Sequence, residues 1–170
     1  MMRRYPSGAP VNRPWLPETW WGYPWPGSRE GRIMDVIDLL EQDHRKVEQL
    51  FSRYEASPDD ATADEICQEL DVHAAVEEEI IYPRLAEIDS ELKQHADEEH
   101  GTAKGLIGQI RDRIGNVREL VEQLKASVEH HVEEEESKAF PEMRDQLAAE
   151  LDDLAAAVAR RKQELQSQGQ

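Results

Sequence analysis

The chain contains two stretches that share one pattern, His73-Ala-Ala-Val-Glu77-Glu-Glu-Ile-Ile-Tyr-Pro83 and His131-Val-Glu-Glu-Glu135-Glu-Ser-Lys-Ala-Phe-Pro141. In each stretch a glutamate follows a histidine by four residues, and an aromatic-proline pair ends the stretch ten residues after the histidine. Four residues are about one turn of an α-helix, so the histidine and the glutamate lie on one face of a helix. The pattern predicts two helices that each present an imidazole and a carboxylate in the same direction.

The rest of the chain from Asp35 onward also has helical periodicity, without the alternation typical of strands. We predict helices over 35–56, 62–86, 89–113, 117–139 and roughly 142–166. Pro83 predicts a kink near the end of the second helix, and Pro141 predicts the end of the fourth. The predicted fold is all-α, an up-down-up-down four-helix bundle with an extra C-terminal helix packed outside it.

Each apolar stripe of the four predicted bundle helices contains one histidine, and two stripes add a glutamate one turn later. These residues are His44, His73, Glu77, His100, His131 and Glu135. Each histidine lies near the middle of its helix, so antiparallel helices would bring the six side chains to one level. A glutamate buried without a partner costs several kcal/mol, and a bound cation removes this cost. The stripes therefore predict a buried metal site.

Several polar residues close to the predicted site have a simpler interpretation. A single histidine on an apolar face is usually a hydrogen-bonded core residue, so the prediction depends on all six residues being in phase. His95 and His130 lie off the stripes and are interpreted as surface residues. Glu134 competes with Glu135, because it is three residues from His131. The other acids nearby, Glu78, Glu79, Glu133, Glu134 and Glu136, are interpreted as solvated faces.

The ligand types indicate which metals would bind. Imidazole and carboxylate ligands without a thiolate suit iron, manganese or zinc. Six ligands are too many for one tetrahedral zinc ion, so they favour a two-metal centre. Iron is the usual occupant of such centres in helical bundles.

Four segments resemble the hemerythrin-like HHE cation-binding family: Asp35–His44, His73–Pro83, Glu99-His100 and His131–Pro141. The resemblance covers about 34–145, and its repeated histidine-to-proline register supports His131 and Glu135 over His130 and Glu134. It implies two non-heme iron ions (Fe2+/Fe3+), with Glu77 and Glu135 bridging them and the histidines completing each shell. It also implies O2, NO or peroxide as the small-molecule ligand.

The third helix departs from the oxygen-carrying hemerythrins, which place two histidines four residues apart there. The positions one turn on either side of His100 are Ala96 and Lys104. We therefore expect one iron ion to have fewer protein ligands. This departure favours sensing, peroxide or NO chemistry, or iron handling over simple carriage of O2.

Other functions are weighed against this one. A ferritin-like di-iron oxidase needs two Glu-x-x-His motifs, and the chain has only Glu41-Gln-Asp-His44. An iron–sulfur repair protein of the same superfamily usually carries cysteines in an N-terminal region that here has none. A peroxide-consuming, catalase-like enzyme and an iron storage or handling protein stay open. A metal-free interaction module is the non-enzymatic alternative.

The charge and composition of the chain exclude some partners. A net charge of −17 argues against nucleic acid or an anionic membrane surface as a partner. No apolar run approaches the length of a membrane span, about 18 residues. The single cysteine, Cys67, excludes an internal disulfide, so we expect a cytoplasmic protein.

The N-terminal residues 1–33 differ in composition from the rest. They hold all four tryptophans and six of the nine prolines, and their five arginines and two acids give +3. We predict a disordered arm that could dock on a protein partner, although Met34 could be the true start of the chain. The predicted domains are this arm, a metal-binding bundle over 34–145, and a C-terminal helix with a polar tail over 146–170.

Overall fold

The computed structural model describes residues 34–168, and every regular element in this range is helical. The α-helices are α1 (Val36–Ala56), α2 (Asp60–Val76), α3 (Tyr82–Ile88), α4 (Ser90–Arg111), α5 (Val117–Glu134), α6 (Phe140–Gln146) and α7 (Leu151–Gln168). Two π-helical segments, Glu77–Ile81 and Glu135–Ala139, join α2 to α3 and α5 to α6. The predicted all-α fold is confirmed, and the predicted disordered arm over 1–33 lies outside the described residues.

Four long helical units form the bundle, because α2 and α3 make one continuous unit and α5 and α6 make another. Helix α1 packs on α2, α2 packs on α4, and α4 packs on α5. The C-terminal helix α7 packs on α1 and α2, outside the four units, as the sequence predicts. Within the described range, no helix is both long and apolar enough to cross a membrane.

Side chains at the start of each long unit fix where the helices begin. Asp35 and Asp38 form a capping box on α1. Asp59, Asp89 and Asn116 each accept a hydrogen bond from the first turn of α2, α4 and α5. Such caps satisfy backbone N–H groups that have no partner within the helix. Each cap fixes where its helix begins. The short connections that precede these caps reverse the direction of the chain, which gives the up-and-down order of the bundle.

The two π segments explain how the helices continue past the prolines, and they correct the prediction that Pro141 ends the fourth helix. The N–H of Tyr82 bonds to the carbonyl of Glu77, and the N–H of Phe140 bonds to that of Glu135, each five residues back. This wider turn accommodates the proline ring, which clashes with the carbonyl four residues back in a regular α-helix. Pro141 therefore does not end the fourth helical unit.

The last predicted helix, over 142–166, is wrong at its start. Residues up to Gln146 belong to the fourth unit, a turn follows, and α7 begins at Leu151. The buried side chains of α7, including Val158, join the same apolar cluster as Val36 of α1. The predicted boundary between 34–145 and 146–170 stays a prediction.

Within residues 34–168, two apolar clusters form the core, one on each side of a polar layer. The first contains Val36, Ile37, Leu40, Tyr82, Leu85, Phe140, Met143 and Val158, among others. The second contains Val47, Phe51, Ile66, Leu70, Ile107, Ile110, Val121 and Leu124, among others. On α1 the polar layer begins at His44, between Leu40 and Val47. The layer is therefore enclosed by close-packed apolar side chains above and below.

Candidate metal centre

The structure brings the six residues predicted from the sequence together in this polar layer. All six are buried, and none exposes more than 7% of its surface. His44 comes from α1, His73 from α2, His100 from α4 and His131 from α5, while Glu77 and Glu135 begin the two π segments. Each glutamate follows the histidine of its own helical unit by four residues, which is about one turn. Its carboxylate therefore points toward that histidine.

The donor atoms form two groups, each with its atoms within 4.8 Å of one another. One group is His44, His73, Glu77 and Glu135, and the other is Glu77, His100 and His131. Glu77 Oε2 lies 3.2 Å from His73 Nε2 and 3.4 Å from His100 Nε2. Glu135 Oε2 lies 3.3 Å from His44 Nε2 and 3.4 Å from His131 Nε2. Each carboxylate therefore contacts one histidine of the pair His44 and His73 and one histidine of the pair His100 and His131.

The four imidazoles face one another in two pairs through their Nε2 atoms. These atoms are 3.2 Å apart in His44 and His73, and 3.0 Å apart in His100 and His131. A contact this short holds at most one hydrogen between the two nitrogens. At least one nitrogen of each pair therefore presents its lone pair to the centre, as a metal ligand does.

Four further carboxylates fix the opposite nitrogen of each imidazole. The contacts from Nδ1 are His44 to Glu136 at 2.9 Å, His73 to Asp43 at 3.2 Å, His100 to Glu78 at 3.0 Å and His131 to Glu99 at 2.8 Å. An ionised carboxylate only accepts hydrogen bonds, so Nδ1 carries the hydrogen in each pair. This leaves Nε2 free to bind a cation, the arrangement that orients histidine ligands in metal sites.

These outer carboxylates correct two interpretations made from the sequence. Glu78 and Glu136 are half-buried partners of histidines, where solvated side chains were expected. Glu136 and Asp43 also pair with Arg45 and Lys162, and Glu78 binds Lys104 at 2.6 Å. The sequence does contain a signal for all four.

That signal is an acidic residue directly next to four of the six residues of the centre. An acid precedes a histidine in Asp43-His44 and in Glu99-His100, and a second glutamate follows in Glu77-Glu78 and Glu135-Glu136. In all four doublets the acid bonds the imidazole of a different helix. The doublets tie the four long units together around the centre.

The inner carboxylates provide the test of whether the residues fit a metal. Neither oxygen of Glu77 accepts a hydrogen bond from the described residues, and the same holds for Glu135 Oε2. Glu77 is completely buried. A carboxylate in this position needs a cation to offset the loss of hydration. The carboxylate oxygens without hydrogen-bond partners and the imidazole Nε2 atoms that face one another together fit a bound metal ion.

The imidazole pKa values indicate the same negative environment. Burial disfavours the charged form of His131, but Glu135 and Glu99 outweigh burial and raise the pKa of His131 to about 9. The pKa values of His44 and His100 are also raised against the effect of burial, chiefly by Glu135 and Glu77 respectively. Protons and metal ions compete for such ligands, so metal binding releases protons.

Tyr82 is a member of the site that the sequence analysis missed. Its hydroxyl lies 2.9 Å from His100 Nε2 and donates to Glu135 Oε1 at 3.2 Å. Burial, and then the charges of Glu77 and Glu135, raise the pKa of Tyr82 far above its usual range, so the hydroxyl keeps its proton. Tyr82 occupies the aromatic position before the proline in the first repeated stretch.

The corresponding position in the second stretch is Phe140, which stacks on His44 with ring centroids 5.7 Å apart. The two halves of the centre therefore differ in one polar group. The hydroxyl of Tyr82 lies on the side of His100 and His131, where Ala96 and Lys104 stand in place of a second histidine on that helix.

The two histidines predicted to be at the surface are exposed, with 49% of the His95 side chain and 62% of the His130 side chain accessible. Glu134 contacts His95 at 2.9 Å, whereas Glu135 is 3% exposed and lies in the centre. Cys67 is buried and free, and burial raises the pKa of its thiol to about 11. This thiol is therefore protonated and unreactive near neutral pH.

A small cavity adjoins the centre. Its volume is about 30 Å³, and all four inner histidines line it. The apolar part of its wall comes from the second core cluster, with Val47, Leu70, Ile107 and Val128. A water molecule needs roughly 10–15 Å³ of such volume, so the cavity has room for a ligand of two or three heavy atoms.

The fold and the site define a helical bundle with a buried centre of imidazoles and carboxylates that suits a cation. The family model of the hemerythrin HHE cation binding domain matches residues 35–143, and the chain belongs to this family. The chain is therefore a cation-binding protein of the hemerythrin type. The resemblance seen in the sequence is confirmed.

A curated relative carries a different description. The chain is 33% identical over 125 residues to a protein named DNA nickase from Nostoc sp. (strain PCC 7120). The match covers 69% of this chain and 36% of the relative, so the chain spans about a third of that protein's length. No solved structure matches the chain significantly.

We predict that Glu77→Gln, which keeps the side-chain shape and removes the charge, loses most of the bound metal. The reason is that neither oxygen of Glu77 has a hydrogen-bond partner among the described residues, and its Oε2 contacts one histidine of each pair. Metal per chain, measured by elemental analysis of freshly purified protein, checks this. Glu79→Gln is the matched control, because Glu79 is two residues away, exposed and bound to Arg161. Equal metal content in wild type and Glu77→Gln would contradict the assignment.

Proposed function

We propose that the centre holds two non-heme iron ions and binds or senses O2, NO or peroxide. His44 and His73 would hold one ion, His100 and His131 would hold the other, and Glu77 and Glu135 would bridge them. The observation that carries the proposal is the contact of each inner carboxylate with one histidine of each pair. Nitrogen and oxygen ligands without thiolate suit iron.

The size of the cavity supports a very small ligand. At about 30 Å³ it accommodates a diatomic molecule or peroxide. Four imidazoles and several aliphatic side chains line it, so a ligand there is close to the candidate metal ligands. Iron, when bound, supplies the sites at which these molecules bind and exchange electrons.

Tyr82 would act at the candidate metal ligands themselves, because it belongs to the first apolar cluster and does not line the cavity. The hydroxyl keeps its hydrogen and sits between His100, His131 and Glu135. From this position it can donate a hydrogen bond to a small molecule beside the histidines, with Glu135 as the alternative acceptor. The equivalent Phe140 offers no such group, so ligand chemistry is expected on the side of the centre where Tyr82 lies.

Peroxide consumption is a second candidate function, and Tyr82 is the observation that favours it. In a catalase-like reaction one peroxide is reduced to water with two electrons from a second peroxide, which leaves as O2. Negative charge develops on the oxygen atoms as the O–O bond breaks, and a buried hydroxyl beside the candidate ligands can stabilise it by donating a hydrogen bond. We expect Tyr82→Phe to retain bound iron and to consume peroxide about tenfold more slowly or worse. Initial rates of peroxide loss, normalised to iron content, measure this.

The control is Tyr54→Phe, because Tyr54 is also buried but lies in the second apolar cluster away from the centre. It should leave the rate unchanged. A Tyr82→Phe protein with the wild-type rate per iron would show that the hydroxyl does not act in the reaction.

The DNA-nicking activity named for the Nostoc relative is not carried over to this chain. The chain spans 36% of that relative, and its net charge of −17 opposes binding to a phosphate backbone. A cytoplasmic location and a protein partner for residues 1–33 stay predictions.

Optical spectroscopy tests the proposed function directly. The full chain would be reconstituted with Fe2+ without oxygen and exposed separately to O2, NO and peroxide. At least one of the three should produce a new charge-transfer band that saturates as the ligand is added. An iron-loaded protein whose spectrum is the same with all three ligands would contradict the proposal.

A further inference from the structure

A second cluster of histidines and glutamates lies at the surface, outside the buried centre. We call it the surface cluster, and it consists of His95 and Glu99 on α4 with His130 and Glu134 on α5. On each helix the histidine and the glutamate are four residues apart, so both side chains lie on one face. This repeats the His-x-x-x-Glu spacing of the inner site on two neighbouring antiparallel helices.

The four side chains alternate around a small space. His95 Nε2 is 2.9 Å from Glu134 Oε2 across the helix pair, and His130 Nε2 is 3.5 Å from Glu99 Oε1. His95 Nε2 is also 3.7 Å from Glu99 Oε1 along α4. One donor atom from each residue lies within 4.8 Å of all the others. Tetrahedral zinc with bonds of about 2.0–2.1 Å places its ligand atoms roughly 3.3 Å apart, so small rotations close the site.

Glu99 gives the independent indication of a ligand. Its Oε2 is fixed by the Nδ1–H of His131 at 2.8 Å. Its Oε1 faces His95 and His130, is buried, and accepts no hydrogen bond from the described residues. One oxygen of Glu99 is thus fixed by His131, while the other is held in place without a hydrogen-bond donor. A carboxylate oxygen in this situation is suited to bind a cation.

We propose that the surface cluster binds one divalent transition-metal ion of the Zn2+ or Co2+ type. Two imidazoles and two carboxylates match the ligand preference of these ions, whereas Ca2+ and Mg2+ prefer sites made only of oxygen. Exposure of His95 and His130 gives the ion direct access from solvent. Glu99 joins this site to the buried centre, because one carboxylate serves both His131 and the surface ion.

The test uses Co2+ with the full-length protein as purified, after its resident metal has been measured. Wild type is compared with the double variant His95→Ala/His130→Ala by calorimetric titration and visible absorption. Wild type should bind about one more Co2+ per chain than the variant, with the absorption bands of a four-coordinate ion. Resident metal should be equal in both, because neither histidine belongs to the inner set.

The control variant is Glu98→Gln/Glu133→Gln, which removes two exposed carboxylates from the same two helices and leaves the surface cluster intact. It should keep the additional Co2+. The proposal is overturned if the double-histidine variant binds as much Co2+ as wild type. It is equally overturned if the control loses as much as that variant, since general negative charge would then explain the binding. If the double-histidine variant does not fold, Glu134→Gln replaces it and should show the same loss.

Discussion

Two buried carboxylates, Glu77 and Glu135, constrain the rest of the structure. Each is almost or fully excluded from solvent and has at least one oxygen without a hydrogen bond from the described residues. Burial of such groups is unfavourable unless a positive charge is placed against them. The bundle satisfies this requirement by aiming four imidazole Nε2 atoms at one layer and holding each ring from behind with another acid.

The backbone is shaped by the same constraint. Both π segments begin at the inner glutamates, and both end just before an aromatic-proline pair. The extra residue in each wide turn lets the helix pass the proline and bring Tyr82 or Phe140 against the histidines. The two halves are therefore built alike, and the difference between tyrosine and phenylalanine makes the two sides of the centre chemically distinct.

The helical periodicity predicted the bundle, and the phase of six polar residues in apolar stripes predicted which side chains share the central layer. Periodicity assumes one regular helix, so it missed the π segments and ended the fourth helical unit at residue 139, seven residues early. It also assigned Glu78 and Glu136 to solvent, because a residue next to the stripe can reach the imidazole of another helix only once the helices are packed. Tyr82 and Glu99 were missed for the same reason.

In the proposed centre Glu77 and Glu135 each serve two metal ions, and the number of ions per chain tests this most directly. The full chain would be reconstituted with excess Fe2+ under anaerobic conditions, freed of loosely bound metal, and assayed for iron against protein concentration. We expect about two iron ions per chain, as for other centres with carboxylates shared in a bundle core. A ratio of one or below would show that the inner residues do not form a shared two-metal centre.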